Sequence, residues 1–391
     1  MPHNHLTVFI IVSFSLAFTA CKKEEATTKV ETPALGCSIQ ISNDNGKIID
    51  GQYIIALKPS AGSREIPASN MKLISDNILS RNSIALNSLR QAFTGEPGGF
   101  IAKLTADELQ KLKNDPSIDK IENDRIIALG DCFSVVEPRL ITWNVKRVGY
   151  GDGTGKTAWI IDSGIDFSHP DLNVDTVRSH SFLPGVPSAR DENGHGTHVA
   201  GIIGAKNNSI GVLGVASGAN LVSLRTLDKD GVGTMGAMVQ ALAYVNVNGK
   251  AGDVVNISSG EDSVSDIIDQ QVRNTAARGI FIAIAAGNDG KPAVHYTPGR
   301  ANAPNIYTVS AIDSLDKFAS FSDFGNDVID YAAPGVDIVS TWIGGKYARA
   351  SGTSMAAPHV AGLLLLVGSS IKTSGYALND PDGTADPIAH D

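Results

Sequence analysis

Basic charge is in short supply in this chain. Lys and Arg total 32 against 41 Asp and Glu, a net charge of −9, and no basic patch of the kind that grips phosphates breaks the pattern. Nucleic acid is thereby excluded as a partner. Cysteine is scarcer still, with three residues among 391. Cys21, Cys37 and Cys132 close one bridge at most, so a hydrophobic core and not cross-links must carry the fold. Long apolar runs are missing apart from residues 6–20, which have the length of a signal-peptide core and are too short to span a bilayer. What is abundant is glycine, 40 residues beside 19% charged ones. That composition suits a loop-rich α/β enzyme, in a length that allows two or three domains.

The most specific stretch is Ser351-Gly352-Thr353-Ser354-Met355-Ala356-Ala357-Pro358-His359-Val360-Ala361-Gly362. A tight Gly-Thr turn precedes Ser354, and the small and apolar residues after it read as a helix. Pro358 is expected in the first turn, where a missing N–H costs nothing. Ser354 then holds its hydroxyl among unpaired backbone N–H groups at the positive end of that helix, a setting that stabilises an oxyanion. A nucleophilic serine needs a base, and the base needs an orienting acid. Thr157-Ala158-Trp159-Ile160-Ile161-Asp162-Ser163-Gly164 is an apolar strand ending in a carboxylate, with Asp166 as a second acid close by. Asn193-Gly194-His195-Gly196-Thr197-His198-Val199-Ala200-Gly201 puts His195 at the start of a small-residue helix. The order Asp162, His195, Ser354 is the order of subtilisin. From about residue 143 to 362 the chain resembles the subtilisin-like serine peptidases.

That resemblance implies an α/β fold, a subtilisin-like, mostly parallel sheet flanked by helices on both faces. Residues 143–391 read the same way unaided: strands at 221–225, 253–257 and 280–286 alternate with helices at 235–247 and 264–278. Their near-continuous apolar character means that both faces are buried. The resemblance also implies roles. Asp162, His195 and Ser354 would be catalytic, and Asn288 with the Ser354 N–H would hold the oxyanion. Ser258, Ser259 and Gly260 would pair with a peptide substrate's backbone, although Glu261 stands where relatives often carry another glycine. Ala285, Ala286 and Gly287 would floor the pocket for the residue before the scissile bond, with Asp289 at its mouth favouring basic or polar side chains. Residues 206–214 resemble the family's calcium loop. Carbonyls of Lys206, Ile210 and Val212 and the Asn208 side chain would join the Asp171 carboxylate around Ca2+. Asp330, with carbonyls near Pro304 and Ile306, would form a second, weaker calcium site. Catalysis itself calls for no cofactor.

The amino-terminal part divides further. Residues 1–20 are expected to be a signal peptide, and Phe18-Thr19-Ala20-Cys21 resembles a bacterial lipoprotein cleavage box. Lipidation of Cys21 would anchor the exported protein to a membrane through a polar spacer, 21–47. An ordinary secretory leader is the alternative. Cys37 and Cys132 would then either pair or remain free thiols. Residues 48–129 show strands at 52–58, 98–104 and 119–127, a helix at 71–81, and a helix at 106–112 that Thr105 and Glu108 cap as a box. This unit resembles the family's inhibitor-type propeptide, a small ferredoxin-like α+β domain. It would inhibit the catalytic domain and guide its slow, non-local sheet, with processing between Ala128 and Thr142 in the linker 130–142.

Some signals lead nowhere. Gly153-Thr154-Gly155-Lys156-Thr157 mimics a phosphate loop, but Tyr150 stands where its first glycine belongs. His195 and His198 lack a third ligand for zinc, so His198 and His359 read as packed side chains. Residues 368–391 are rich in Asp, Pro and Gly where the family continues in helices, so one packing layer is expected to be missing or replaced. Three functions fit the chain: a zymogen endopeptidase cutting peptides or proteins, a non-catalytic binding protein on a peptidase scaffold, or an inhibitor or folding module centred on 48–129.

Overall fold

Apolar strands without polar alternation set the centre of the fold. The computed structural model describes Met1 and residues 44–59, 68–129, 133–135 and 140–391. Cys21, Cys37 and Cys132, and with them the anchor and disulfide expectations, lie outside the described residues. Nine strands form one sheet in the order Lys372–Tyr376, Pro387–His390, Ile329–Pro334, Ile306–Ile312, Phe281–Ala285, Val254–Ile257, Thr157–Asp162, Asn220–Arg225, His180–Ser181. All neighbours run parallel except the first pair. Ala158, Ile160, Ala283 and Ala285 face the helices His195–Gly204 and Thr353–Val367. Trp159, Ile161, Ile282 and Ile284 face the helices Met235–Asn248 and Asp266–Ala277. Alanines on the first face let the helix Thr353–Val367, which carries Ala356, Ala357, Ala361 and Gly362, lie close to the strands. From Thr157–Asp162 the chain builds outward to Asn220–Arg225 on one side and Val254–Ile257 on the other. Strand order therefore reverses at Asp162, the kind of place where α/β sheets bind ligands.

Residues 368–391 replace the expected helical layer with strand. Pro387–His390 runs beside Ile329–Pro334 with Ile388 paired to Ala332, and Lys372–Tyr376 closes that edge.

Residues 48–128 build a second, antiparallel sheet in the order Ile118–Ala128, Ile48–Leu57, Gly99–Lys103, Leu89–Phe93. The helices Ala68–Arg81 and Ala106–Lys113 cover it. Thr105 and Glu108 form the expected capping box, with Thr105 N donating to Glu108 Oε2 at 2.8 Å and Glu108 N to Thr105 Oγ1 at 3.3 Å. Ile55 and Leu57 pack on Met71, Leu79 and Leu112, whereas Ile54 and Ala56 join the core under Met235–Asn248 and Asp266–Ala277. Two carboxylates of the last strand reach the amino ends of those helices. Asp124 accepts Gly236 N at 3.0 Å; Glu122 accepts Ile267 N at 3.2 Å and Ser265 Oγ at 2.5 Å. Negative charge there meets unpaired N–H donors and the positive end of the helix dipole.

Candidate active site

Three neighbouring strands carry the candidate residues at their carboxyl ends: Asp162 ends Thr157–Asp162, Ser258 follows Val254–Ile257, and Asn288 follows Phe281–Ala285. His195 opens its helix with Nδ1 at 2.7 and 2.9 Å from the two Asp162 oxygens. Both side chains are fully buried. In this geometry Nδ1–H donates to the carboxylate, leaving Nε2 as the basic nitrogen. The close approach depends on Gly196, because a Cβ there would lie 3.0 Å from Asp162 Oδ1 and collide with the Gly164 carbonyl. Sequence reasoning missed Asp191. This buried carboxylate accepts Asn193 N, Gly194 N and Thr197 N at 2.9–3.0 Å, Thr197 Oγ1 at 2.6 Å and Ser163 Oγ at 3.0 Å, tying the turn before His195 to the Asp162 strand. Burial pushes it above the usual carboxylate range, against the pull of Thr197, Gly194 and Asn193. An acid four residues ahead of a helix was the available signal. Asp166, the neighbouring carboxylate, instead takes Ser168 N and Gly344 N.

Ser354 is the second residue of Thr353–Val367 and almost wholly buried. Pro358 does not lie in the first turn as expected: the helix starts at Thr353, so the proline falls in its second turn and leaves the Ser354 carbonyl without its N–H partner. Ser258 supplies one. Its Oγ donates to Ser354 O at 2.9 Å, and Ser354 Oγ donates to Ser258 O at 3.0 Å, while Asn256 Nδ2 supports Ser258 Oγ at 2.8 Å. His198 and His359 are packed side chains. His198 Nε2 lies 3.1 Å from the carbonyls of Ile338 and Ala348, and His359 bridges Met355 O and Asn144 Nδ2 at 2.8 Å each.

Asn288 Oδ1 accepts Thr353 N at 2.8 Å and Thr353 Oγ1 at 2.9 Å. With the carbonyl end fixed beside the serine, the Nδ2 end is the amide's donor side. Ala285 and Ala286 are buried and Gly287 adopts φ +115°, where a Cβ would strike Asp323. Asp323, pushed up to about 6 by burial, accepts Asp289 N and Lys291 N at 3.0 and 2.9 Å. Asp289 itself is half exposed and 4.0 Å from Lys291 Nζ, a cation that competes with any basic ligand at the mouth.

Among the described residues no strand pairs with Ser258, Ser259 or Gly260. The edge in use is one that local pattern does not single out, Val232–Thr234. It pairs antiparallel with residues 126–128, and Leu129 N donates to Gly231 O at 3.0 Å. Beyond residues 130–132, Phe133–Val135 pairs with Ala348–Ala350, just ahead of the serine helix.

Asp171 and the 206–212 loop come together. Asp171 is fully buried and accepts Asn208 Nδ2 at 2.8 Å and Val212 N at 3.0 Å, and a Cβ on Gly211 would collide with it. Burial raises this carboxylate above its ordinary range, which a divalent cation would offset. Among the described residues no three His, Cys, Asp or Glu gather to hold a metal; one carboxylate with amide and backbone oxygens is a donor set of another kind, and it suits calcium. Asp330 accepts Thr308 N at 2.8 Å and is pushed up to about 6 by burial.

The Subtilase family pattern matches residues 153–377 and the Peptidase inhibitor I9 pattern residues 52–129. The chain belongs to the subtilase family of serine peptidases. It is 39% identical to M-protease of Shouchella clausii over 272 residues, covering 68% of this chain and 67% of that one. With Thermophilic serine proteinase of Bacillus sp. strain AK1 it shares 30% over 396 residues, 97% of this chain and 94% of the relative. A crystal structure of a cold-adapted subtilisin-like serine proteinase superposes with a TM-score of 0.58 at 30% identity, over 64% of this chain and 98% of that one.

Proposed function

We propose that this serine peptidase is an exported endopeptidase, made as a zymogen, in which Asp162, His195 and Ser354 act together. The observation that carries the reading is the Asp162–His195 pair, at 2.7 and 2.9 Å, on the strand beside Ser258, Ser354's hydrogen-bonded partner. Ser354 Oγ attacks the peptide carbonyl as His195 Nε2 takes its proton. Asp162 holds the tautomer and stabilises the imidazolium. The carbonyl's electron pair becomes an oxyanion facing Asn288 Nδ2 and Ser354 N–H. Collapse breaks the C–N bond, His195 protonates the departing amine, and water repeats the cycle on the acyl-enzyme. The pairing of residues 126–128 with Val232–Thr234 supports substrate-like docking of the propeptide tail, with processing between Ala128 and Thr142.

The leader at 6–20 and the box ending in Cys21 support export and a lipid anchor, which fatty-acid labelling of wild type but not of Cys21→Ser would establish. Asp171, Asn208 and the carbonyls of Lys206, Ile210 and Val212 would hold a structural Ca2+, and Asp330 a weaker one. Fluorophosphonate labelling of the processed protein, together with casein hydrolysis, tests the central claim. Label on wild type and none on Ser354→Ala is expected. Processed wild type that takes no label would overturn it in favour of a binding protein.

A further inference from the structure

Glu261 is a carboxylate in a position that the fold makes costly. Its backbone is locked to Thr297 by two hydrogen bonds of 2.9 and 3.0 Å, one residue past the Ser258-Ser259-Gly260 edge, and the residue is 0% exposed. Oε1 takes the Ser263 hydroxyl. Oε2 is buried with no hydrogen-bond partner among the described residues, and it points at Gly46, whose Cβ would come within 2.7 Å of it. A charged oxygen left so is expensive to bury. Burial holds the group up at about 7.

The cation facing Glu261 comes from the propeptide. Arg125 Nε lies 3.8 Å from Glu261 Oε1, and its guanidinium is braced by a 2.7 Å bond from Nη1 to Gly46 O. Arg125 immediately precedes the residues 126–128 that pair with Val232–Thr234. The neighbouring acid Asp262 is already paired with Lys291 at 2.9 Å. Gly46 and Arg125 both belong to the propeptide side, so its departure uncovers a fixed carboxylate beside the cleft, at the place where an arginine had been.

We propose that Glu261 is a specificity-determining residue of the processed enzyme, reading a basic side chain on the substrate. The side chain it selects is that of the residue immediately before the one paired with Thr234, the register Arg125 holds in the propeptide. This inference rests on the peptidase reading and deepens it. A substrate strand laid antiparallel on Val232–Thr234 presents that residue to Glu261 whatever its other side chains. A guanidinium there fills the place that Arg125 vacates and sets a cation beside the Glu261 carboxylate, as Arg125 Nε does at 3.8 Å from Oε1. An acidic side chain in the same place meets a like charge in a poorly solvated corner.

The test uses the processed enzyme and internally quenched peptides of one neutral sequence. Arginine, citrulline or glutamate is placed in turn at each position before the cleaved bond. One position is expected to favour arginine over citrulline by roughly tenfold in kcat/KM, with glutamate poorest, the size of one desolvated charge contact. In Glu261→Gln the arginine and citrulline values at that position converge. Should that variant fail to mature, Glu261→Asp and the wild-type order arginine, citrulline, glutamate still decide. A wild type that cleaves the neutral peptide yet shows no such position overturns the inference, as does a preference that Glu261→Gln retains. A wild type that cleaves none of the peptides overturns the peptidase reading instead.

Discussion

The carbonyl of Ser354 and the hydroxyl of Ser258 meet at 2.9 Å, because Pro358 has removed the N–H that would otherwise occupy that carbonyl. The bond is returned at 3.0 Å from Ser354 Oγ to Ser258 O. Helix start, Ser354 hydroxyl and the end of the strand Val254–Ile257 are therefore one hydrogen-bonded unit.

Ser258→Ala strands the Ser354 carbonyl in a buried site, at about 1–3 kcal/mol. It is expected to lower both the melting temperature and kcat. Adding Pro358→Ala restores the helical N–H, so the double variant should recover stability relative to Ser258→Ala. A double-mutant cycle with no coupling between the two positions would contradict the account.

If Asn288 donates to the oxyanion as proposed, Asn288→Leu is expected to cost about 10²–10³ in kcat with little change in KM, the loss known for such a donor in a subtilisin. Thr353→Val keeps the backbone bond to Asn288 but loses the hydroxyl one. Its kcat should fall by less, and a fall as large as that of Asn288→Leu would show that the amide depends mainly on the hydroxyl.

Acid should destabilise the fold through two rings. Burial, with His195 adding to it, holds His198 down at about 3, and burial holds His359 at about 4. The unfolded chain takes up these protons from about pH 6.5, the folded chain only near those lower values. Stability is therefore full above about 6.5 and lost as pH falls toward 4, by on the order of 3 kcal/mol for His359. Urea midpoints of Ser354→Ala protein between pH 7 and 4.5 measure this. Adding His359→Gln should flatten the slope, and an unchanged slope would refute it.

Asp124→Ala and Glu122→Ala leave Gly236 N and Ile267 N without their carboxylates. Each contact is worth about 1.5–3 kcal/mol as a hydrogen bond to a charge, so the lag before activity appears should shorten in each variant and most in the pair. Lags equal to wild type would remove these carboxylates from the propeptide's hold.

If Ca2+ sits at the Asp171 loop, chelation lowers the melting temperature, with about 2.7 kcal/mol at stake where free Ca2+ is a hundredfold above Kd. Asp171→Asn should melt lower and respond little to chelator. Equal chelator shifts in both proteins would place the ion elsewhere.

The sequence was most legible where local chemistry is strict. Around His195 and Ser354 only glycine and small residues let backbone and side chain approach, so those blocks announce themselves. The Thr105–Glu108 box and the apolar strands were legible for the same reason. Leu89–Phe93 was not, since Arg90 and Gln91 are exposed on an edge strand and break any alternation. Pro358 was placed one turn too early, because the helix boundary depends on Gly352 and on what Ser258 supplies across the fold.

The sequence alone determined the peptidase chemistry, the inhibitor-like unit and the doubly covered sheet, each written in short-range patterns of residue size, polarity and spacing. Tertiary structure decided which edge the propeptide tail adopts, what satisfies the Ser354 carbonyl, and that Glu261 faces Arg125. Those are contacts between segments far apart in the chain, and no local preference encodes a partner that only folding brings near.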